Sequence, residues 1–318
     1  MEILFTTKLP LDGFSSLSAH KLIMPSVPRF SRAELERLIT QCDVLVSTFD
    51  YPIEKTLIEK AQRLKLITNF GVGFNNVDIE TAAQHQIIVT NTPDPVIEPT
   101  AEQTMTLMLA VAHRTAELDR KMRQTNDIEI GVMNNLGISI HGKTLGIIGL
   151  GRIGQAVAKR ALACGMRIIY HNRKRADKTI EEVLQATYVS FDELLTQSDF
   201  ISLHLPYYKE SHHLINEAAF QKMKNGATLI NTARGAIVDE QALIKNLKNG
   251  KLWGTALDVF EKEPQISPEL FSLDNVVLSP HIGTGTIDGR LAMCEWVSKN
   301  ILHFEKHEFD KLDWVNKF

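Results

Sequence analysis

The sequence predicts an α/β protein built on two parallel sheets, and three observations carry that expectation. Short β-branched apolar runs alternate with helical patterns through both halves of the chain, an order that yields parallel strands covered by helices. A glycine turn, Gly149-Leu-Gly151-Arg-Ile-Gly154, lies between one such run and a small-residue helical pattern. Prolines 93, 95 and 99 interrupt the alternation, and a chain of 318 residues has room for two domains. With 44% hydrophobic and 23% charged residues, the composition is that of an ordinary globular protein. A formal net charge of -3 argues against a nucleic-acid partner, whose binding face is normally strongly basic. Cys42, Cys164 and Cys294 are odd in number and far apart. They suit small buried hydrophobes in a reducing compartment better than a disulfide framework or a metal site. The first residues lack the basic and apolar regions of a signal peptide, and no apolar run approaches the roughly 20 residues of a membrane span. A cytoplasmic protein with no membrane partner and no metal is expected.

The elements follow in order. Residues 2–5, 44–47, 65–68 and 87–90 read as strands, with turn formers at their ends. Between them 31–41, 53–63 and 78–85 read as helices, with Ser31 and Asp78 as N-caps. The proline-rich stretch 91–100 fits neither one helix nor one central strand and marks a domain boundary. A helix is expected over 101–123, then a polar irregular stretch with Asn126, Gly131, Asn134, Asn135 and Gly137. Strands follow around the glycine turn, at the run from Thr144 and at 166–171, and again at 200–203, 227–230, 254–259 and 276–278. Helices at 191–196, 216–223 and 239–247 separate several of them, and a last helix runs from beyond 284 to about 304. Together these make a complete dinucleotide-binding sheet.

At the glycine turn, Gly149 permits the bend, Gly151 lets a pyrophosphate approach the backbone, and Gly154 lets helix and strand pack closely. The helix N-terminus, with Arg152 and Ile153 in its first turn, turns free N–H groups toward the anion. Ligands of open parallel sheets lie beyond the carboxyl ends of the strands, so residues just after strands are the candidates for chemistry. Arg234 is suited to clamp a planar carboxylate. Asp258 is placed either to hydrogen-bond a nicotinamide amide or to cap its own strand end. His281 is the best-placed histidine for proton transfer near neutrality, and a neighbouring carboxylate such as Glu263 would favour its charged form.

With these positions in view, the chain resembles the D-isomer-specific 2-hydroxyacid dehydrogenases along essentially its full length. The resemblance rests on the segment from His141 through Gly154, on Ile230-Asn-Thr-Ala-Arg-Gly235, on Leu257-Asp-Val-Phe-Glu-Lys-Glu-Pro264 and on Ser279-Pro-His-Ile-Gly283. It implies two Rossmann-like domains, with a cofactor domain over 99–285 inserted into a flavodoxin-like substrate domain made of 1–98 and 286–318. It also implies a homodimer. Family roles fall on Arg234, Glu263 and His281 for catalysis, and on Val72, Gly73, Arg234 and His281 for the substrate. For the cofactor they fall on Thr100, Gly149, Gly151, Arg152, Ile153, Gly154, Asn172, Arg173, Lys174, Pro206, Thr232, Ala233, Asp258 and Gly283. The residues before Thr100, Ile97-Glu-Pro99, depart from the Asp-Ala or Asp-Val of many relatives.

The acid expected about 20 positions after the glycines, which bonds the ribose 2′-OH of NAD, is missing. Asn172 stands there, followed by Arg173, Lys174 and Arg175. This favours NADP(H), with NAD(H) and a merely solvated basic turn as the alternatives. The segment from His281 through Arg290-Leu-Ala-Met293 is most similar to the glyoxylate/hydroxypyruvate reductase branch, which implies a small 2-oxoacid as substrate. Glu263 argues against formate dehydrogenase, which has glutamine in that role. Lactate-like and phosphoglycerate-like dehydrogenases and the cofactor-sensing corepressors of the same fold remain the alternatives. Tyr51 is expected either near the substrate or packed at a helix start.

Overall fold

The structure, a computed structural model, describes residues 1–125 and 128–318; Asn126 of the expected irregular stretch lies outside the described residues. The chain divides into two units, Met1–Val96 with Thr284–Phe318, and Ile97–Gly283. The sequence boundaries 98/99 and 285/286 stand two residues later in each case.

The first unit holds β1 (Glu2–Phe5), β2 (Lys21–Ile23), α1 (Arg32–Leu38), β3 (Val44–Thr48), α2 (Lys55–Ile58), β4 (Leu66–Phe70), α3 (Ile79–Gln84) and β5 (Ile88–Thr90). Its strands are all parallel, in the order β2-β1-β3-β4-β5. β3 and β4 are buried along their whole length, which is why they read as unbroken apolar and β-branched runs. Ser31 and Asp78 cap α1 and α3, accepting the N–H of Glu34 and of Thr81. Tyr51 is buried in this unit's core beside Leu35 and Leu57, in the packing place.

The second unit holds α4 (Ile97–Ala112), α5 (Thr115–Thr125), β6 (Thr144–Ile148), α6 (Arg152–Ala163), β7 (Arg167–His171), α7 (Lys178–Leu184), β8 (Ala186–Tyr188), α8 (Phe191–Gln197), β9 (Phe200–Leu203), α9 (Glu217–Lys222), β10 (Ala227–Asn231), α10 (Glu240–Lys248), β11 (Leu252–Leu257), α11 (Pro268–Phe271) and β12 (Val276–Leu278). Seven parallel strands run in the order β12-β11-β10-β9-β6-β7-β8. Side chains of β10 alternate between the two cores that sandwich this sheet: Ala227 and Leu229 face Phe220 and Leu243, while Ile230 faces Met108 and Val157. The strand order reverses between β6 and β9, the switch point where such sheets bind ligands. The chain then returns to the first unit through α12 (Ile287–Glu305), capped by the Thr286 hydroxyl.

Five expectations need correction. The helix expected over 53–63 is confined to Lys55–Ile58. The helix predicted over 101–123 is two helices, because Arg114 takes a left-handed φ of 58° between α4 and α5. α4 also begins earlier, at Ile97, since Pro99 falls in the first turn, where no N–H is needed. The strands β2 and β8 and the helices α7 and α11 were not anticipated; both strands have three residues and lie at sheet edges. Cys42 and Cys294 are buried, but Cys164 is exposed at the end of α6.

Candidate active site

Gly149 follows β6 with φ of +102°, and a Cβ there would lie 2.5 Å from the His204 carbonyl oxygen, so only glycine lets these strand ends meet. Gly151 is the N-cap of α6, and the space where its Cβ would stand is open. The N–H groups of Ile153 and Gly154, in the first turn, have no acceptor among the described residues. The Leu150 N–H donates to Asn172 Oδ1 at 2.7 Å, so the side chain after β7 ties down the glycine turn. That bond fixes the amide, and Asn172 keeps its Nδ2 donor without a partner among the described residues. A cavity of about 610 Å³ opens here, lined by Gly149, Gly151, Asn172, Arg173, Lys174 and Pro206. Six expected cofactor residues thus share one wall, with Arg152, Ile153 and Gly154 in the adjoining helical turn.

The same cavity is lined by His204 and Tyr208, which sequence reasoning passed over. Burial pushes His204 down to about 3, so its ring is neutral, and its Nε2 lies 2.8 Å from Ser202 Oγ. Arg175 takes no part in that wall. Its guanidinium holds Glu181 through two hydrogen bonds of 2.8 Å, and the Tyr170 hydroxyl donates to the same carboxylate while accepting from the Ala176 N–H. The Arg175 and Tyr170 bonds hold the Glu181 carboxyl down at about 2.

A second group of expected residues collects at the carboxyl ends of β10, β11 and β12, within the same unit. Asn231 brackets the turn after β10: its Oδ1 accepts the Ala233 N–H at 3.0 Å and its Nδ2 donates to the Arg234 carbonyl at 2.9 Å. The Thr104 hydroxyl donates to the Thr100 carbonyl, so Thr232 must donate to Thr104, tying this turn to α4. Gly235 is required because a Cβ would come within 1.9 Å of the Phe260 carbonyl group. Burial lowers Arg234 from its ordinary range, and the Glu263 charge opposes that.

Asp258, at the end of β11, is buried and encircled by the His281 loop. Its carboxylate accepts from Ser279 Oγ at 2.5 Å, from the Ile282 N–H at 2.9 Å and from the Gly283 N–H at 2.7 Å, and its carbonyl accepts the His281 N–H at 2.8 Å. These bonds cap the end of its own strand. Burial raises its carboxyl, against the pull of these donors. The cage holds His281 at a left-handed φ of 53°, a sparsely populated conformation for a histidine. His281 Nδ1 then lies 2.8 Å from Glu263 Oε2, while Glu263 Oε1 accepts the Phe260 N–H at 2.9 Å. Burial raises Glu263, but His281 and the Phe260 N–H together leave it below its usual value. Thr100 lies against Gly283, so α4 borders this cluster.

In the first unit, the turn after β4 has its carbonyls occupied. Gly71 O accepts the Thr92 N–H, Val72 O accepts Asn91 Nδ2, and Gly73 O accepts Asn69 Nδ2. The N–H groups of Val72 and Gly73 have no acceptor among the described residues.

A parallel sheet with its glycine turn at the switch point is a dinucleotide-binding domain. This one carries its own histidine–carboxylate pair, the equipment of an oxidoreductase that couples hydride and proton transfer. Comparison with known proteins narrows the class. The model of the D-isomer specific 2-hydroxyacid dehydrogenase NAD binding domain matches residues 105–283. A glyoxylate reductase from Thermococcus litoralis is 44% identical over 99% of this chain and 97% of its own. A crystal structure of a glyoxylate reductase from Paecilomyes thermophila superposes with a TM-score of 0.86 at 34% identity, covering 95% of this chain and 94% of that one. That of a D-lactate dehydrogenase from Aquifex aeolicus, complexed with NAD and lactic acid, gives 0.84 at 30% identity over 100% of both chains. The chain belongs to the D-isomer specific 2-hydroxyacid dehydrogenase family. It is an oxidoreductase that uses a nicotinamide dinucleotide. Among the described residues no helix is long and apolar enough to cross a membrane, and no cluster of side chains could hold a metal ion.

Proposed function

We propose that the protein reduces a small 2-oxoacid of the glyoxylate/hydroxypyruvate type to the D-2-hydroxyacid with NADPH, as a homodimer in the cytoplasm. The observation that carries this reading is the His281–Glu263 pair at 2.8 Å, held beside Arg234 on the sheet that bears the glycine turn. The dinucleotide fits the site: the open space at Gly151 and the unclaimed N–H groups of Ile153 and Gly154 suit a pyrophosphate. Bound there, the nicotinamide supplies the hydride. Arg234 binds the substrate carboxylate and polarises its carbonyl. His281, with Nδ1 engaged by Glu263, gives a proton from Nε2 to the oxygen that becomes the hydroxyl; in the reverse direction the neutral ring accepts it. The unclaimed N–H groups of Val72 and Gly73 suit a carboxylate, and their assignment to the substrate rests on the family resemblance.

NADPH is favoured because Asn172 offers a donor where a carboxylate would repel a 2′-phosphate. Arg173 and Lys174 add positive charge beside it. A homodimer is supported by a run of exposed apolar side chains in the second unit, with Ile130 97%, Val132 93% and Met133 76% exposed. The three free thiols suit a reducing compartment. The test is the initial rate of NADPH and NADH oxidation with glyoxylate, hydroxypyruvate and pyruvate. NADPH turnover with glyoxylate or hydroxypyruvate, reduced about 10²–10⁴-fold in His281→Ala, supports the reading. Preference for NADH removes the cofactor assignment, and absence of turnover with every 2-oxoacid removes the reductase.

A further inference from the structure

The three basic residues after β7 have different surroundings. Arg175 is bound to Glu181. Lys174 and Arg173 have no ion pair among the described residues, but Arg173 is not loose: its guanidinium carbon lies 4.5 Å from the centroid of the Tyr208 ring. Tyr208 comes from another part of the chain, after β9, and its backbone is fastened there. Its N–H donates to Ser211 Oγ at 2.9 Å, and its carbonyl accepts both the Ser211 N–H and hydroxyl, at 2.9 and 2.8 Å. Ser211 itself is fully buried. The backbone that carries the ring is therefore fixed, and both Arg173 and Tyr208 line the cavity beside Asn172.

An arginine on an exposed turn has many rotamers, and a ligand that binds it must order it. A ring face that attracts the cation orders it beforehand and leaves the in-plane N–H donors along its edge to a phosphate. Glu210 also lines the cavity, so a cation kept in place is what makes this wall attractive to a dianion. We infer that Tyr208 is a specificity-determining residue. It holds the Arg173 guanidinium over the cavity, where guanidinium and Asn172 Nδ2 together bind a phosphate on the ribose 2′ oxygen. This rests on the NADPH reading.

The probes are adenosine 2′,5′-bisphosphate and 5′-AMP, measured as competitive inhibitors of the wild-type protein, Tyr208→Phe, Tyr208→Ala, Arg173→Ala and the double variant. In the wild type the bisphosphate should bind more tightly than AMP. Tyr208→Ala should weaken the bisphosphate about 3- to 10-fold, the range of a cation–π contact, and leave AMP nearly unchanged. Tyr208→Phe keeps the ring face and should keep the wild-type ratio. In the Arg173→Ala background, removing the ring should change nothing further. Equal weakening of both ligands would mean that the ring only packs against adenosine, and no change in either would mean that it does not hold Arg173; both overturn the inference. Discrimination that is undiminished in Tyr208→Ala sinks this inference alone, whereas a wild type that does not discriminate sinks the NADPH reading as well.

Discussion

Replacing Gly235 by alanine tests how the catalytic cluster is built. The added Cβ would stand 1.9 Å from the Phe260 carbonyl carbon and oxygen and 2.4 Å from the Glu261 nitrogen. Ordinary contacts begin near 3.4 Å, so the backbones must part by about 1.5 Å (3.4 − 1.9). The neighbours are backbone atoms and cannot rotate away. Overpacking of this kind costs about 1–3 kcal/mol. Restricting the unfolded chain returns about 0.4–1 kcal/mol, which leaves a net loss of up to about 2.6 kcal/mol and a Tm lower by up to roughly 10 °C for a domain of this size. Activity should suffer more. Arg234 precedes the alanine, and the Phe260 N–H holds Glu263 Oε1, so one clash displaces the proposed substrate clamp and the partner of His281 together. Misplacement by about 1 Å is worth about 10²-fold. The assay is kcat/KM for glyoxylate beside thermal melting and the NADPH dissociation constant, which should change less than kcat/KM because the glycine turn and Asn172 lie at other strand ends, although Thr232 and Ala233 precede the substitution. A variant with wild-type Tm and kcat/KM would refute the argument, as would a loss of cofactor affinity as large as the loss of kcat/KM.

Two other predictions address the turn after β7 and the oligomer. Glu181 has a folded-state value near 2, well below that of a free carboxyl, so the stability it contributes is present above the unfolded value and lost as pH falls through the folded one. Thermal melting should show a constant deficit of Glu181→Gln against wild type above pH ~5 that shrinks as pH drops toward ~2; a deficit independent of pH would contradict the role of the charge. Val132→Asp places a charge on the exposed apolar run and should convert a dimer to a monomer in sedimentation analysis, and a wild type that already sediments as a monomer refutes the dimer.

Much of this fold is legible in the sequence, for physical reasons. β3, β4 and β6 are buried along their length, so their composition announces them; β2 and β8 are too short and too marginal to have a pattern. The break at Arg114 uses neither glycine nor proline, so it left no mark in the chain. Arg234 and His281 each lie three residues after a strand, where a rule of topology points, and Glu263 lies in the loop that follows β11. What composition could not separate is the duty of neighbouring basic residues. Arg173, Lys174 and Arg175 look alike in sequence, and only Tyr208 and Glu181, brought in by the fold, distinguish the first from the third. The left-handed backbone of His281 was equally hidden, since it depends on donors gathered around Asp258.

The bond from the Leu150 N–H to Asn172 Oδ1 has an evolutionary consequence. An aspartate at 172 would keep that acceptor and exchange only Nδ2 for an oxygen, turning a donor toward phosphate into an acceptor for a ribose hydroxyl. Asparagine and aspartate codons differ by one base. Under the proposed reading, the share of cofactor choice that falls to residue 172 hangs on a single heavy atom that can be exchanged without disturbing the turn. Arg234, Glu263 and His281 belong to other strand ends, so under the proposed reading lineages can change their source of reducing power while inheriting the same chemistry.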